Sequence, residues 1–308
     1  MWLPVQSRAC FLSVASCPKP QRSSLLSVGT IGIFDSGYGG LTILDGIRKR
    51  MPEYDYIYLG DNARAPYGTR SFDVVYEFTL QAVQKLFSLG CPLVILGCNT
   101  ASAKALRSIQ QKYLPQYAPD RRVLGVIRPT AEVVGELSHT RHIGVLATEG
   151  TIKSQSYNLE IEKLYPGSTV VGQACPMWVP LVENDEFDKP GADYFVKDSL
   201  QKLLAQDPLI DTIILGCTHY PLLLDKINQQ LAQLSSANPQ LSAIKVIPQG
   251  QYIAASLEDY LHRHPEMAER LTRGGTCQYY TTESSSKFRE SASVFLHDDI
   301  VAQRITLI

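Results

Sequence analysis

The sequence has no C-x-x-C pair, no polybasic run and no apolar stretch near the roughly 18 to 20 residues that a membrane-spanning helix requires. Each absence removes a class of function. Charged residues make up 19% of the chain and the net charge is -1, so neither nucleic acid nor an anionic membrane is expected as a partner. The seven cysteines (Cys10, Cys17, Cys91, Cys98, Cys175, Cys217 and Cys277) are an odd number without dense spacing. That argues against a disulfide framework and against a zinc site, and for free thiols in a reducing cytoplasm. Residues 1–28 lack a positively charged start, a strong apolar run and a clear period. Only Arg8 precedes a weak run from Ala9 to Ala15, so a disordered leader or an over-extended start is expected rather than an export signal.

What is present is ordinary globular composition at a length of 308 residues, with 44% hydrophobic residues. One core rarely keeps growing at that size, so two compact lobes are expected. Two apolar runs end alike: Leu93-Val94-Ile95-Leu96-Gly97-Cys98-Asn99-Thr100 and Thr212-Ile213-Ile214-Leu215-Gly216-Cys217-Thr218-His219. Each reads as a buried parallel strand leading into a helical pattern. Upstream, Ile31-Gly32-Ile33-Phe34-Asp35-Ser36 resembles Ile143-Gly144-Val145-Leu146-Ala147-Thr148. The spacing from Ile31 to Ile143 nearly equals that from Cys98 to Cys217, which argues for duplication of a strand-helix unit. Asp55 to Gly60 and Val123 to Ile127 read as further strands, and Ser71 to Leu89 as a helix stopped by Gly90. The fold expected is α/β: two pseudo-symmetric lobes, each a mostly parallel sheet flanked by helices. Ligands of such sheets gather at the carboxyl ends of the strands, where Asp35, Cys98 and Cys217 fall. Facing lobes bring the two cysteines to opposite walls of one cleft.

Inverting the α-carbon of an amino acid takes a base on one face and an acid on the other. Paired thiols suit that work, because a free thiol with a pKa of about 8.5 holds either protonation state near neutral pH. A helix beginning just after each cysteine is expected to favour its thiolate. Asp35 is the candidate proton partner on the Cys98 side and His219 on the Cys217 side. A single buried cysteine is usually an inert apolar filler, but two in matched polar settings are not. Asn99, Thr100 and Thr218 need a polar ligand if buried there. The Asp35-Ser36-Gly37-Tyr38-Gly39-Gly40 turn permits close approach of a ligand, with an ordinary tight turn as the competing reading. Asp61 to Gly68 is a loop whose Tyr67 hydroxyl and Gly68 amide are available to a ligand, or simply a surface turn.

These segments, in this order, resemble the glutamate racemase family of the aspartate/glutamate racemase superfamily. The resemblance rests on Phe34-Asp35-Ser36-Gly37 with Gly39-Gly40, Ala65-Pro66-Tyr67-Gly68, Gly97-Cys98-Asn99-Thr100-Ala101 and Gly216-Cys217-Thr218-His219-Tyr220-Pro221, and covers roughly Gly29 to Leu296. It implies that Cys98 and Cys217 exchange the α-proton, each serving one enantiomer, assisted by Asp35, His219 and Glu183. It implies substrate contacts from Asp35, Ser36, Tyr67, Gly68, Asn99, Thr100, Thr148, Thr151, Thr218 and His219. It implies a first lobe of 29–125 plus 246–308, a second of 126–245, and no cofactor or metal. It also implies a cytoplasmic homodimer supplying D-glutamate to peptidoglycan, with control by a cell-wall precursor in some members. Tyr38 and Thr281-Thr282-Glu283-Ser284-Ser285-Ser286 depart from the family's pattern. The alternatives are an aspartate racemase, against which His219 speaks, and a two-lobed binding protein without turnover. A one-cysteine hydrolase or transferase leaves the second cysteine segment unexplained.

Overall fold

Short runs of branched apolar residues form the strands, and the glycines that follow them turn the chain into helices. The computed structural model describes residues 28–236, 241, 243–296 and 298–307. The expected leader therefore lies outside the described residues, apart from its last position. Ten strands are described: β1 (Ile31–Asp35), β2 (Tyr56–Gly60), β3 (Leu93–Leu96), β4 (Arg122–Gly125), β5 (His142–Ala147), β6 (Thr169–Ala174), β7 (Thr212–Gly216), β8 (Lys245–Ile247), β9 (Cys277–Thr281) and β10 (Ala302–Arg304). One sheet runs β10-β9-β2-β1-β3-β4 and the other β6-β5-β7-β8. Every pairing is parallel.

The order β2-β1-β3-β4 in one sheet is repeated as β6-β5-β7-β8 in the other. The repeat legible in the sequence is thus a repeat of topology. β1, β2, β3 and β7 are buried along their whole length, as uninterrupted apolar runs in helix-covered sheets should be. Where the strand order reverses, the connecting helices leave on opposite faces and a crevice opens at the carboxyl ends. The reversal lies between β1 and β3 in one sheet and between β5 and β7 in the other. Register sets the ends level: Phe34 pairs with Leu96, and Ala147 with Gly216. Asp35 therefore stands beside the Cys98 turn, and Thr148 beside Cys217.

The helix predicted from Ser71 to Leu89 spans Phe72–Ser88, with Ser71 accepting from the Val74 N–H at its start and Gly90 at positive φ beyond its end. Two expectations shift slightly. β4 ends at Gly125, and Ile127 already opens the next helix. β8 carries the second sheet to Ile247, past the expected lobe limit at 245. The segment that returns after β8 is held to the first half along an apolar seam. Leu41, Ile43, Leu44 and Ile47 of helix Gly40–Arg50 pack with Ile253, Ala254, Leu257 and Leu261 of helix Gly250–Arg263. These helices cross so closely that a Cβ on Gly46 would lie 2.9 Å from the Gly250 carbonyl carbon.

Candidate active site

The turn after β1 is built around the Asp35 carboxylate. Asp35 is fully buried; its Oδ2 accepts the Gly37 N–H at 2.8 Å. Tyr58 buttresses the turn by donating to the Gly37 carbonyl at 2.9 Å. Burial pushes the Asp35 carboxyl above its ordinary range, against the pull of His219 and the backbone N–H groups.

Cys98 is the N-cap of helix Asn99–Lys104, and its Sγ accepts from the Ala101 N–H at 3.4 Å. Ser36 Oγ lies 3.3 Å from the same sulfur. Cys98 and Cys217 are both only 6% exposed. Burial, and then the charge of Asp35, push the Cys98 thiol up to about 12; Ser36 and Ala101 pull the other way, and Cys217 adds to the rise. The helix N-terminus expected to favour a thiolate is therefore outweighed by desolvation.

The second cysteine differs from the expectation of a helix starting directly after it. A short 3-10 turn, Tyr220–Leu223, intervenes before helix Leu224–Ser235. His219 takes the place of the helix terminus, with Nδ1 3.9 Å from Cys217 Sγ and Nε2 3.0 Å from Glu183 Oε1. Burial works against a charged imidazole, but the hydrogen bonds to Cys217 and Glu183 and their charges raise His219 to about 10. Glu183 reaches it from the end of helix Trp178–Glu183, where Trp178 packs edge-on against Tyr220 with ring centroids 4.8 Å apart. The two halves join here: Thr218 Oγ1 donates to Asp35 Oδ1 at 3.4 Å, and Thr42 Oγ1 donates to the Thr218 carbonyl at 3.1 Å. Gly39 has to be glycine for this approach, since a Cβ there would overlap Thr218 Oγ1 and lie 2.5 Å from His219 Nδ1.

Asp35, Cys98, Cys217, Thr218 and His219, all buried, thus form one cluster with the half-buried Ser36 and Glu183. Thr100, Thr148 and Thr151 form a second beside it, with Thr100 Oγ1 3.0 Å from Thr148 Oγ1 and 3.4 Å from Thr151 Oγ1. Thr148 caps helix Glu149–Lys153, and the Gly150 N–H donates to the Gly68 carbonyl at 2.8 Å across the halves. Burial first, and then Asp61, hold the Tyr67 hydroxyl well above its ordinary value, with Cys98 close enough to add to the rise. Its hydroxyl, expected to be available to a ligand, donates to Asp61 Oδ2. The Asn99 side chain is likewise committed, to Tyr157 and Gln249.

Several supporting residues escape a sequence reading. Asp61 is fully buried and also receives Arg64 Nε at 2.7 Å and Thr282 Oγ1 at 2.9 Å. Thr281 bonds Asn62 at 2.9 Å, so the segment that departs from the family's pattern locks the Tyr67 loop. Tyr38, the other departure, packs against Phe288 and Phe295, and Phe295 packs edge-on against His219. Two buried aspartates, each ending or following a β-strand, were the available signal for this support; nothing local marks Gln249.

Comparison with known proteins identifies the family. Residues 42–247 match the Asp/Glu/hydantoin racemase family. The chain is similar to the glutamate racemase of Roseobacter denitrificans, 39% identical over 278 residues that cover 87% of this chain and 96% of that protein. The fold is similar to the crystal structure of a Bacillus anthracis glutamate racemase isoform, with a TM-score of 0.79, 32% identity, and coverage of 91% of this chain and 98% of that one. It is also similar to the Francisella tularensis glutamate racemase solved in complex with D-glutamate, with a TM-score of 0.77, 30% identity, and coverage of 90% and 97%. With the motifs, the doubled sheet and the paired thiols in agreement, the chain belongs to the Asp/Glu/hydantoin racemase family, in the glutamate racemase group.

Proposed function

We propose that this protein interconverts L- and D-glutamate by a two-thiol proton exchange without an added cofactor. The observation that carries the reading is the pair of buried cysteines at matched strand ends, joined through Asp35, Thr218 and His219 into one polar cluster. In each direction one sulfur, as thiolate, takes the α-proton while the other, as thiol, returns a proton to the opposite face. Cys98 is the neutral partner in the free enzyme, because burial holds its proton through the neutral range. A cationic His219, held by Glu183, offsets negative charge at Cys217. Asp35, itself raised above its ordinary range, is the nearby carboxyl for relaying the Cys98 proton.

A thiolate is a far weaker base than the carbanion it generates, so the site has to stabilise charge on the substrate. Ser36, Tyr67, Gly68, Asn99, Thr100, Thr148, Thr151, Thr218 and His219 are the groups we assign to holding the substrate, through hydroxyls, the imidazole and backbone amides. For Tyr67 and Asn99 the side chains are engaged elsewhere, so their share is orientation of the adjoining backbone. The same reading divides the chain into 29–125 with 246–308 and 126–245, a limit that the pairing of β8 moves to 247. It carries with it a cytoplasmic homodimer, D-glutamate supply to peptidoglycan and control by a cell-wall precursor. Sedimentation equilibrium and activity with added precursor check the dimer and the control. Among the described residues no helix is long and apolar enough to cross a membrane.

The test is proton NMR of L- and D-glutamate in deuterated water with purified protein alone. Appearance of the opposite enantiomer with deuterium at the α-carbon is expected. No turnover of glutamate, or equal turnover of L-aspartate run in parallel, refutes the substrate assignment.

A further inference from the structure

The side chain next to Cys98 belongs to a closed hydrogen-bonded ring that crosses between the two halves. Asn99 Nδ2 donates to Gln249 Oε1, Gln249 Nε2 donates to the Tyr157 hydroxyl, and that hydroxyl donates to Asn99 Oδ1, each at 2.7 Å. All donors run the same way round, so each bond polarises the next, and neither amide can flip without breaking at least two bonds. The second Nε2 hydrogen of Gln249 goes to Thr130 Oγ1 at 2.7 Å, and Thr130 donates to the Val126 carbonyl at 2.8 Å. Asn99, Gln249 and Tyr157 are 2%, 1% and 2% exposed, so water cannot replace a lost partner there without entering a closed interior.

The location matters as much as the geometry. The chain passes from the six-stranded half to the four-stranded half after β4, through Val126 and Thr130. It returns after β8, through Gln249, into helix Gly250–Arg263 at the seam. Tyr157 stands on helix Ser156–Leu164 of the four-stranded half, and Asn99 opens the helix capped by Cys98. One ring therefore ties the Cys98 turn to both crossings of the chain and to the half that carries Cys217.

We infer that Gln249 and Tyr157 are positioning residues for the two-thiol reaction: their ring with Asn99 holds the Cys98 turn at a set distance and angle from the Cys217 half. The inference rests on the racemase reading above. Neither side chain hydrogen-bonds to Cys98 Sγ or Cys217 Sγ. Their effect is on whether both sulfurs oppose the α-carbon at once. Displacement of reacting groups by about 1 Å is enough to cost on the order of 10²-fold in rate.

Tyr157→Phe removes one oxygen and with it two sides of the ring while keeping the aromatic volume. Gln249→Leu removes two sides and the Thr130 link. Each variant is assayed well below its melting temperature, measured first by circular dichroism. The expected result is a fall in kcat of about 10- to 100-fold, with KM changed less than about threefold. A second readout separates positioning from mere loss of stability: deuterium incorporated into the unconverted enantiomer, relative to conversion, in deuterated water. With the far thiol misaligned, the carbanion persists until the near S–H has exchanged with solvent deuterium, and the near sulfur then returns a deuteron to the face it left, so this ratio should rise several-fold. Wild-type kcat and wild-type ratio in the folded variants, even with a lowered melting temperature, overturn the inference. Should Gln249→Leu fail to fold, the conservative Tyr157→Phe decides the matter alone. Absence of racemisation in the unaltered protein would instead refute the functional reading on which this rests.

Discussion

Replacing Glu183 by Gln tests how the second half of the site keeps its charge. The Glu183 carboxylate lies 3.0 Å from His219 Nε2 and is 27% exposed, so it is partly shielded from water. Burial alone would lower the imidazole pKa; the bonds and charges of Cys217 and Glu183 raise it to about 10. A hydrogen bond to a charged group contributes about 1.5 to 3 kcal/mol, and one pKa unit corresponds to about 1.4 kcal/mol. Losing the charge while keeping the shape should therefore lower His219 by about 1 to 2 units. The cation is the form that offsets charge at Cys217, and it is lost as pH rises. The alkaline limb of kcat/KM should accordingly move down, from about 10 to about 8 or 9. The assay is a pH profile followed by circular dichroism of the glutamate solution at fixed ionic strength. Titration of the His219 ring by NMR checks the same shift without turnover. A limb and a ring titration that stay in place, or move upward, refute the reasoning.

Stability should follow the same group. His219 is raised in the folded state, so its contribution is full below about pH 6.5, declines above that, and is gone beyond about 10. Urea midpoints measured across that window should fall with pH, and more shallowly in Glu183→Gln. Gly39→Ala forces a methyl group against Thr218 and His219; overpacking of this kind costs about 1 to 3 kcal/mol, seen as a lower melting temperature together with a raised KM. Asp61→Ala leaves Arg64 and Tyr67 without their buried partner, which should cost about 3 to 5 kcal/mol by urea denaturation.

What could be read in advance was whatever local sequence controls. Apolar runs closed by Gly97-Cys98 and Gly216-Cys217 fix strands and the turns after them. Their repetition foretold two related sheets, whose shared order, β2-β1-β3-β4 and β6-β5-β7-β8, only the assembled structure gives. Asp35, Cys98, Cys217 and His219 were legible because each sits at or just beyond a strand end, where chemistry is displayed in this kind of sheet. Glu183 reads in isolation as a solvated acid, and only the packing of Trp178 on Tyr220 brings it to His219. Gln249 carries no local mark at all, since its ring exists only once three distant segments meet. The protonation of Cys98 was misjudged for the same reason. A helix N-terminus is visible in sequence, whereas the desolvation that outweighs it is a property of the assembled interior.

The measurement that bears most directly on the paired thiols is the isotopic fate of glutamate in single-cysteine variants. Cys98→Ser and Cys217→Ser should each cut racemisation by about 10²- to 10⁴-fold. Each should still exchange the α-proton of one enantiomer with deuterium, the opposite enantiomer for each variant. Racemisation at the unaltered rate in either variant, or loss of exchange from the same enantiomer in both, would contradict the account.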